Sequence, residues 1–122
     1  MTPAILRERT KKFAVQVILF AKTLPTDPIT AGIASQLTDA ASSVAANYRV
    51  VCRARSRADF INKLSITTEE ADESALWLEI LNETGIAMGA TTQRFWQEAD
   101  ELTRILVRSR ETAQYNRNSN LR

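Results

Sequence analysis

The chain has 122 residues, of which 44% are apolar, and this length predicts one domain, residues 1–122, that buries a core without disulfides. Its single cysteine cannot form an internal disulfide, which favours a reducing compartment, and its charges nearly cancel at a net +2. The absence of histidine excludes Ser-His and Cys-His nucleophile pairs, histidine zinc sites, the Glu-x-x-His motif of di-iron bundles and ribonucleases that use a catalytic histidine.

The first predicted helix runs from about Pro3 to Leu24. Thr2 is placed to cap it, and proline suits a first helical turn because its missing N–H has no helical partner there. The apolar residues recur at three–four spacing on one face: Leu6, Phe13, Val17, Phe20 and Leu24. The apolar run is short, interrupted by Gln16 and followed by Lys22, which is unlike a signal peptide or a membrane span. We therefore expect a soluble, cytoplasmic protein.

The second predicted helix runs from about Pro28 to Arg55, with Asp27 as its cap. Its predicted core seam consists of Ile29, Ile33, Leu37, Ala40, Val44, Asn47 and Val51. This seam predicts that Asn47 is buried and hydrogen-bonded, whereas Tyr48 serves in packing or at an interface.

The third predicted helix begins at the capping-box sequence Ser56-x-x-Asp59 and ends at Gly85. Its seam keeps strict four–three spacing: Phe60, Leu64, Thr67, Ala71, Ser74, Leu78 and Leu81. After a loop over 85–91, a fourth helix is predicted to start near Thr92 and to give way to a frayed polar tail over 115–122. Short connections between amphipathic helices predict an all-α, antiparallel up-down-up-down four-helix bundle.

A second apolar stripe on the third helix lies outside its core seam and consists of Ile66, Trp77 and Ile80. A surface helix needs one apolar stripe to pack against its own domain. The extra stripe therefore indicates either a widened core or a contact between subunits.

Basic residues are concentrated between the second and third helices, where residues 47–63 contain five basic and one acidic residue. Arg49, Arg53 and Arg57 recur every four residues, and Lys63 follows. Arginine forks match phosphate geometry, so this pattern predicts a nucleic-acid site. The alternative is that these arginines pair with carboxylates of the third helix, namely Glu69, Glu70 and Glu73.

An enzymatic alternative rests on two carboxylate pairs, Glu70-x-x-Glu73 and Glu98-x-x-Glu101. Carboxylates on facing helices can hold Mg²⁺ for a nucleoside triphosphate, as in helical nucleotide pyrophosphatases. The second pair ends in glutamate where that family has aspartate, and both pairs lie off the predicted core face.

One run of motifs carries a resemblance to a known family. In chain order the motifs are Ser43-x-x-x-Asn47-Tyr48-Arg49, Arg53-Ala54-Arg55-Ser56, Asp59-Phe60-Ile61-x-Lys63-Leu64, Glu70-Ala71-Asp72-Glu73, Trp77-Leu78-Glu79, Gly85, Glu101-Leu102-Thr103-x-Ile105, Ser109 and Thr112-Ala113. With these motifs the chain resembles the four-helix-bundle proteins encoded by intervening sequences in bacterial 23S rRNA genes, also labelled S23 ribosomal proteins. It is more distantly similar to accessory proteins of diversity-generating retroelements.

The resemblance implies a four-helix bundle that assembles as a homopentameric ring and has no established enzymatic activity. It favours a subunit interface for Ile66, Trp77 and Ile80, and RNA or other nucleic acid as a partner by analogy with the retroelement proteins. Phosphate contacts are assigned to Arg49, Arg53, Arg57 and Lys63. We expect no metal, cofactor, small-molecule substrate or membrane partner. A protein-interaction scaffold and a Mg²⁺-dependent pyrophosphohydrolase are the alternatives.

Overall fold

Four helices make up the computed structural model, which describes residues 1–120. They are α1 (Pro3–Ala21), α2 (Pro28–Val51), α3 (Arg57–Glu83) and α4 (Ala90–Asn120). Each helix packs against the next in the chain, and α1 also meets α4 in a smaller contact. Short connections with this packing order confirm the predicted up-down bundle.

The first two helices end earlier than the sequence predicted. Beyond α1 the backbone tightens, because Thr23 donates its N–H to Phe20 and Leu24 to Ala21, each three residues back. The same tightening follows α2, where Arg53 donates to Val50. Residues 52–56 are therefore a turn rather than the last turn of a helix.

The predicted N-caps of α1 to α3 are confirmed. Thr2 Oγ1 accepts from the Ile5 N–H at 3.2 Å, and Asp27 Oδ2 accepts from the Thr30 N–H at 3.1 Å. The hydrogen bonds from Thr30 lower the pKa of Asp27. At the third cap Ser56 Oγ accepts from the Asp59 N–H at 3.1 Å, while Asp59 Oδ2 accepts from the Arg55 N–H at 3.2 Å. In a capping box the return hydrogen bond normally comes from the N–H of the cap residue, but here it comes from Arg55, one residue before the cap.

The α3–α4 connection turns at two glycines with positive φ, Gly85 at 75° and Gly89 at 112°. Helix α4 starts at Ala90, two residues before the predicted position, and continues to Asn120. Helix α4 therefore extends past Tyr115, where the polar tail was predicted to begin, and residues 121–122 lie outside the described part of the chain.

The core contains one continuous apolar cluster contributed by all four helices, centred on Phe13, Val17, Leu37, Val44, Leu64, Leu78, Leu81, Leu102 and Leu106. Buried hydroxyls donate to backbone carbonyls of their own helix, as Thr67 does to Lys63 and Ser74 to Glu70. Among the side chains that the structure describes, every buried nitrogen or oxygen has a hydrogen-bond partner. Small polar residues therefore fit between closely packed helices.

Helix α2 buries four of its seven predicted seam residues, Leu37, Ala40, Val44 and Val51, but its buried face differs from the seam elsewhere. Ile29 is 76% exposed and Asn47 is half-buried, whereas Thr30 and Tyr48 are buried. The buried, hydrogen-bonded role predicted for Asn47 is wrong, since its side chain makes no hydrogen bond to the described residues. The reason is that α2 packs against α1 and α3 together, so that its buried face is wider than one stripe.

Between residues 1 and 120, no helix combines the length and the apolar character that crossing a bilayer requires.

Candidate nucleic-acid interface

The predicted basic residues surround the α2–α3 turn at one end of the bundle. Arg49 lies in the last turn of α2, Arg53 in the turn itself and Arg57 at the first residue of α3, and all three are exposed. Lys63 is half-buried in α3. Because α2 ends at Val51, the arginines do not form the single helical stripe that their spacing predicted.

These four cations form no ion pair with any described residue at a nitrogen–oxygen distance of 4.0 Å or less. The pairing with Glu69, Glu70 and Glu73 that the sequence allowed is therefore not formed within one chain. Exposed arginines without carboxylate partners keep their donors available for phosphate oxygens.

A cleft of about 1170 Å³ opens beside this turn, between the start of α1, the end of α2, the start of α3 and the second half of α4. We call it the basic cleft. Four arginines line it: Arg55, Arg57, Arg104 and Arg108. Its apolar lining consists mainly of Leu6, Tyr48, Val51, Phe60, Leu64 and Ile105. The cleft thus combines positive charge with an aromatic and aliphatic surface.

Few acidic groups offset this charge. Glu101 lines the cleft, and its Oε2 lies 3.2 Å from the Arg9 guanidinium, which also pairs with Glu98, so Glu101 offsets part of the charge of the four arginines. Arg104 Nε lies 3.0 Å from Asp100 Oδ2 in an exposed pair, which contributes little and is readily exchanged for another anion. The cleft therefore remains electropositive.

Tyr48 keeps its proton at this site. Burial raises the pKa of the Tyr48 hydroxyl to about 12, and the neighbouring Cys52 thiol acts in the same direction. A neutral phenol adds no negative charge to the cleft near pH 7.

Of the residues that line this cleft, the sequence pattern predicted a phosphate contact for Arg57 alone. It did not predict a role for Arg55, Arg104, Arg108 or the aromatic side chain of Phe60. The up-down topology could have predicted the α4 residues, because the second half of α4 must run back beside the start of α3. Residues 102–122 contain five basic residues, and this topology places the first of them at the α2–α3 turn.

The second stripe of α3 reaches the surface. Ile66 is 38% exposed, and Trp77 and Ile80 are half-buried. Glu70 and Glu73 lie between them on the same helical face. Partial burial, followed by the neighbouring carboxylates of Glu73 and Glu69, raises the pKa of Glu70.

The two carboxylate pairs of the enzymatic alternative have different surroundings. Glu98 accepts from Arg9 Nε at 2.8 Å and Nη2 at 2.6 Å, in a two-pronged ion pair that joins α1 to α4. The hydrogen bond and charge of Glu98 raise the pKa of Arg9 further above its ordinary value. Within residues 1–120, no three side chains of Cys, Asp or Glu come together as a group able to hold a metal ion.

The fold and this site define an antiparallel four-helix bundle with a basic cleft at one end. The chain belongs to the 23S rRNA-intervening sequence protein family, whose family model matches residues 4–108, as the resemblance indicated. It is similar to a crystallised protein of unknown function from the S23 ribosomal protein family of Bacteroides thetaiotaomicron. The two share 29% identity, with a TM-score of 0.83, over 91% of this chain and 99% of that one. No curated protein matches significantly.

Proposed function

We propose that this protein binds RNA or another structured nucleic acid through the basic surface around the α2–α3 turn, without enzymatic activity, cofactor or small-molecule substrate. The observation that carries the proposal is the set of exposed cations Arg49, Arg53 and Arg57, none of which pairs with a carboxylate of the described residues. Lys63 extends this surface along α3. Arginine and lysine bind nucleic acid largely by displacing the counterions of its phosphates.

The proposal includes a homo-oligomeric ring, with the five subunits that the family resemblance implies. Two apolar faces on different helices support it. One is the α3 stripe of Ile66, Trp77 and Ile80, and the other is the outward face of α1, where Ile5, Val15 and Leu19 are each at least half exposed. Two different faces that meet head to tail close a ring when the rotation permits.

Charge also favours this contact. Glu73 interrupts the α3 stripe and has no cation partner among the described residues, while α1 presents exposed Lys12. Opposite charges on the two faces favour an ion pair across the interface.

The experiment is binding to a structured 23S rRNA fragment over a salt series, measured by fluorescence anisotropy. The test variant is Arg49→Ala/Arg53→Ala, and the control is Lys22→Ala/Arg94→Ala, which removes the same charge from exposed sites at the opposite end of the bundle. We expect the slope of log affinity against log salt to fall by about 1–2 for the test variant. The control should keep the wild-type slope.

A scaffold without nucleic-acid binding is the second candidate, favoured by the exposed apolar face of α1. No binding at low salt by correctly assembled protein would reject the nucleic-acid proposal in its favour. Equal loss in both double variants would reject the α2–α3 turn as the binding surface.

A further inference from the structure

We propose that the basic cleft receives one unpaired nucleotide of the bound nucleic acid, with its base against the apolar floor and its flanking phosphates on the arginine rim. This inference rests on the proposed function and adds the kind of nucleotide that is recognised. It also adds residues of α4 to the binding surface.

The composition of the cleft distinguishes this ligand from phosphate alone. Phosphate groups gain nothing from an apolar floor, but a base stacks favourably on an aromatic side chain. Phe60 is half-buried, packs against the core cluster and lines the cleft, so part of its side chain is accessible there. A base in a paired stem has both faces stacked, whereas an unpaired base can turn outward into a cleft.

The rim carries arginines on two sides of the cleft. Arg55 and Arg57 flank the cap of α3, and Arg104 and Arg108 lie one turn apart on the same face of α4. Guanidinium groups therefore lie on two walls of one cleft, where they can contact phosphates on both sides of an inserted base.

Size and polarity fit the same ligand. The volume of about 1170 Å³ is slightly above that of pockets for small organic ligands, so a nucleotide and its neighbouring phosphates have room. Ser109, Thr112 and Asn116 line the α4 wall. Hydroxyl and amide groups can both donate to and accept from the edge of a base.

The experiment compares two RNA hairpins of equal length and charge, one fully paired and one with a single bulged adenosine. Wild-type protein should bind the bulged hairpin about fivefold or more tightly, as expected from one base stacked on an aromatic ring. Phe60→Leu, which retains an apolar side chain, should abolish this preference and keep binding to the paired hairpin. Arg104→Ala/Arg108→Ala should weaken binding to the bulged hairpin more than to the paired one.

Phe95→Leu is the matched control, because Phe95 is a half-buried aromatic residue at the opposite end of α4, with its ring tilted against that of Phe20. It should retain the wild-type preference. Equal wild-type affinity for both hairpins would overturn the nucleotide site and leave the proposed function standing. Failure to bind either hairpin would overturn the proposed function. Displacement of the bulged hairpin by a glutamate-rich peptide of equal charge, but not by free adenosine monophosphate, would assign the cleft to a protein ligand instead.

Discussion

At the scale of single residues, charge positions matter most where a side chain is partly withdrawn from water. Arg9 is 20% exposed and Glu98 is 30% exposed, and the two-pronged pair between them joins the first and last helices. The contact of α1 with α4 is the smallest of the helix–helix contacts, so this ion pair stabilises the least extensive contact of the bundle.

Arg9→Ala should lower the free energy of unfolding by about 1–2 kcal/mol, because it leaves the Glu98 carboxylate without its donors in a partly buried position. Arg9→Lys should recover only part of this loss, since an ammonium group cannot form the two-pronged pair. Urea unfolding measures both effects. Lys11→Ala is the control: its pair with Glu8 is exposed at 3.6 Å and should contribute less than about 0.5 kcal/mol. Equal losses in Arg9→Ala and Lys11→Ala would contradict this role of Arg9.

Glu70 makes stability depend on pH. Its pKa is raised above the ordinary value of 4.5, so the folded state binds this proton more tightly than the unfolded state. The protonated carboxyl therefore favours folding below pH 4.5, and stability falls as the pH rises through the raised pKa.

Glu70→Gln should remove this fall, giving a higher melting temperature than wild type at pH 7 and little difference at pH 4. Thermal unfolding across that range measures it, with the exposed Glu69→Gln as control. A lower melting temperature for Glu70→Gln at pH 7 would contradict the account and would indicate that a cation of a neighbouring subunit faces this carboxylate.

At the scale of helices, the sequence predicts what depends on local chemistry. The caps at Thr2, Asp27 and Ser56 and the stop at Gly85 all follow from hydrogen bonds or backbone angles of a few neighbouring residues. The wider buried face of α2, which includes Thr30 and Tyr48, could not be predicted from its own pattern, because it depends on two packing partners at once. The basic cleft was missed for the same reason: Arg104 and Arg108 join Arg57 only through tertiary packing.

Alanine substitution at two glycines should change the free energy of unfolding in opposite directions. Gly85 has φ of 75°, so Gly85→Ala should cost about 1 kcal/mol from backbone strain even though a Cβ there would meet nothing closer than Met88 Sδ at 3.7 Å. Gly32 lies inside α2 with nothing within 4 Å of an added Cβ, so Gly32→Ala should stabilise by about 0.5–1 kcal/mol. Chemical denaturation measures both, and shifts of the same sign would contradict the roles assigned to these glycines.

At the scale of the whole molecule, charge and apolar surface are separated. The basic cleft and the α2–α3 turn form one end, whereas α3 presents carboxylates along its length and an apolar stripe between them. In the proposed ring, such a division would leave the basic end accessible while the flanks of the bundle form the subunit contacts.

Ile66→Glu should lower the native mass toward that of one chain, because it places a charge in the proposed interface next to Glu70. Ile29→Glu is the control: Ile29 is 76% exposed on α2, a helix that contributes to neither proposed face, and its substitution should leave the mass unchanged. Light scattering with size-exclusion chromatography measures both. A wild-type mass of a single chain, or equal effects of the two substitutions, would contradict the ring.

We propose that nucleic acid binds at the basic end of the bundle. Photo-cross-linking of the protein to an rRNA hairpin, followed by peptide mass spectrometry, identifies the residues that contact the RNA. The account predicts cross-links within residues 49–63 and within 104–108, the two segments that meet at the basic cleft. Cross-links concentrated on α1 at Arg7, Lys11 and Lys12, or none at all from assembled protein at low salt, would contradict it.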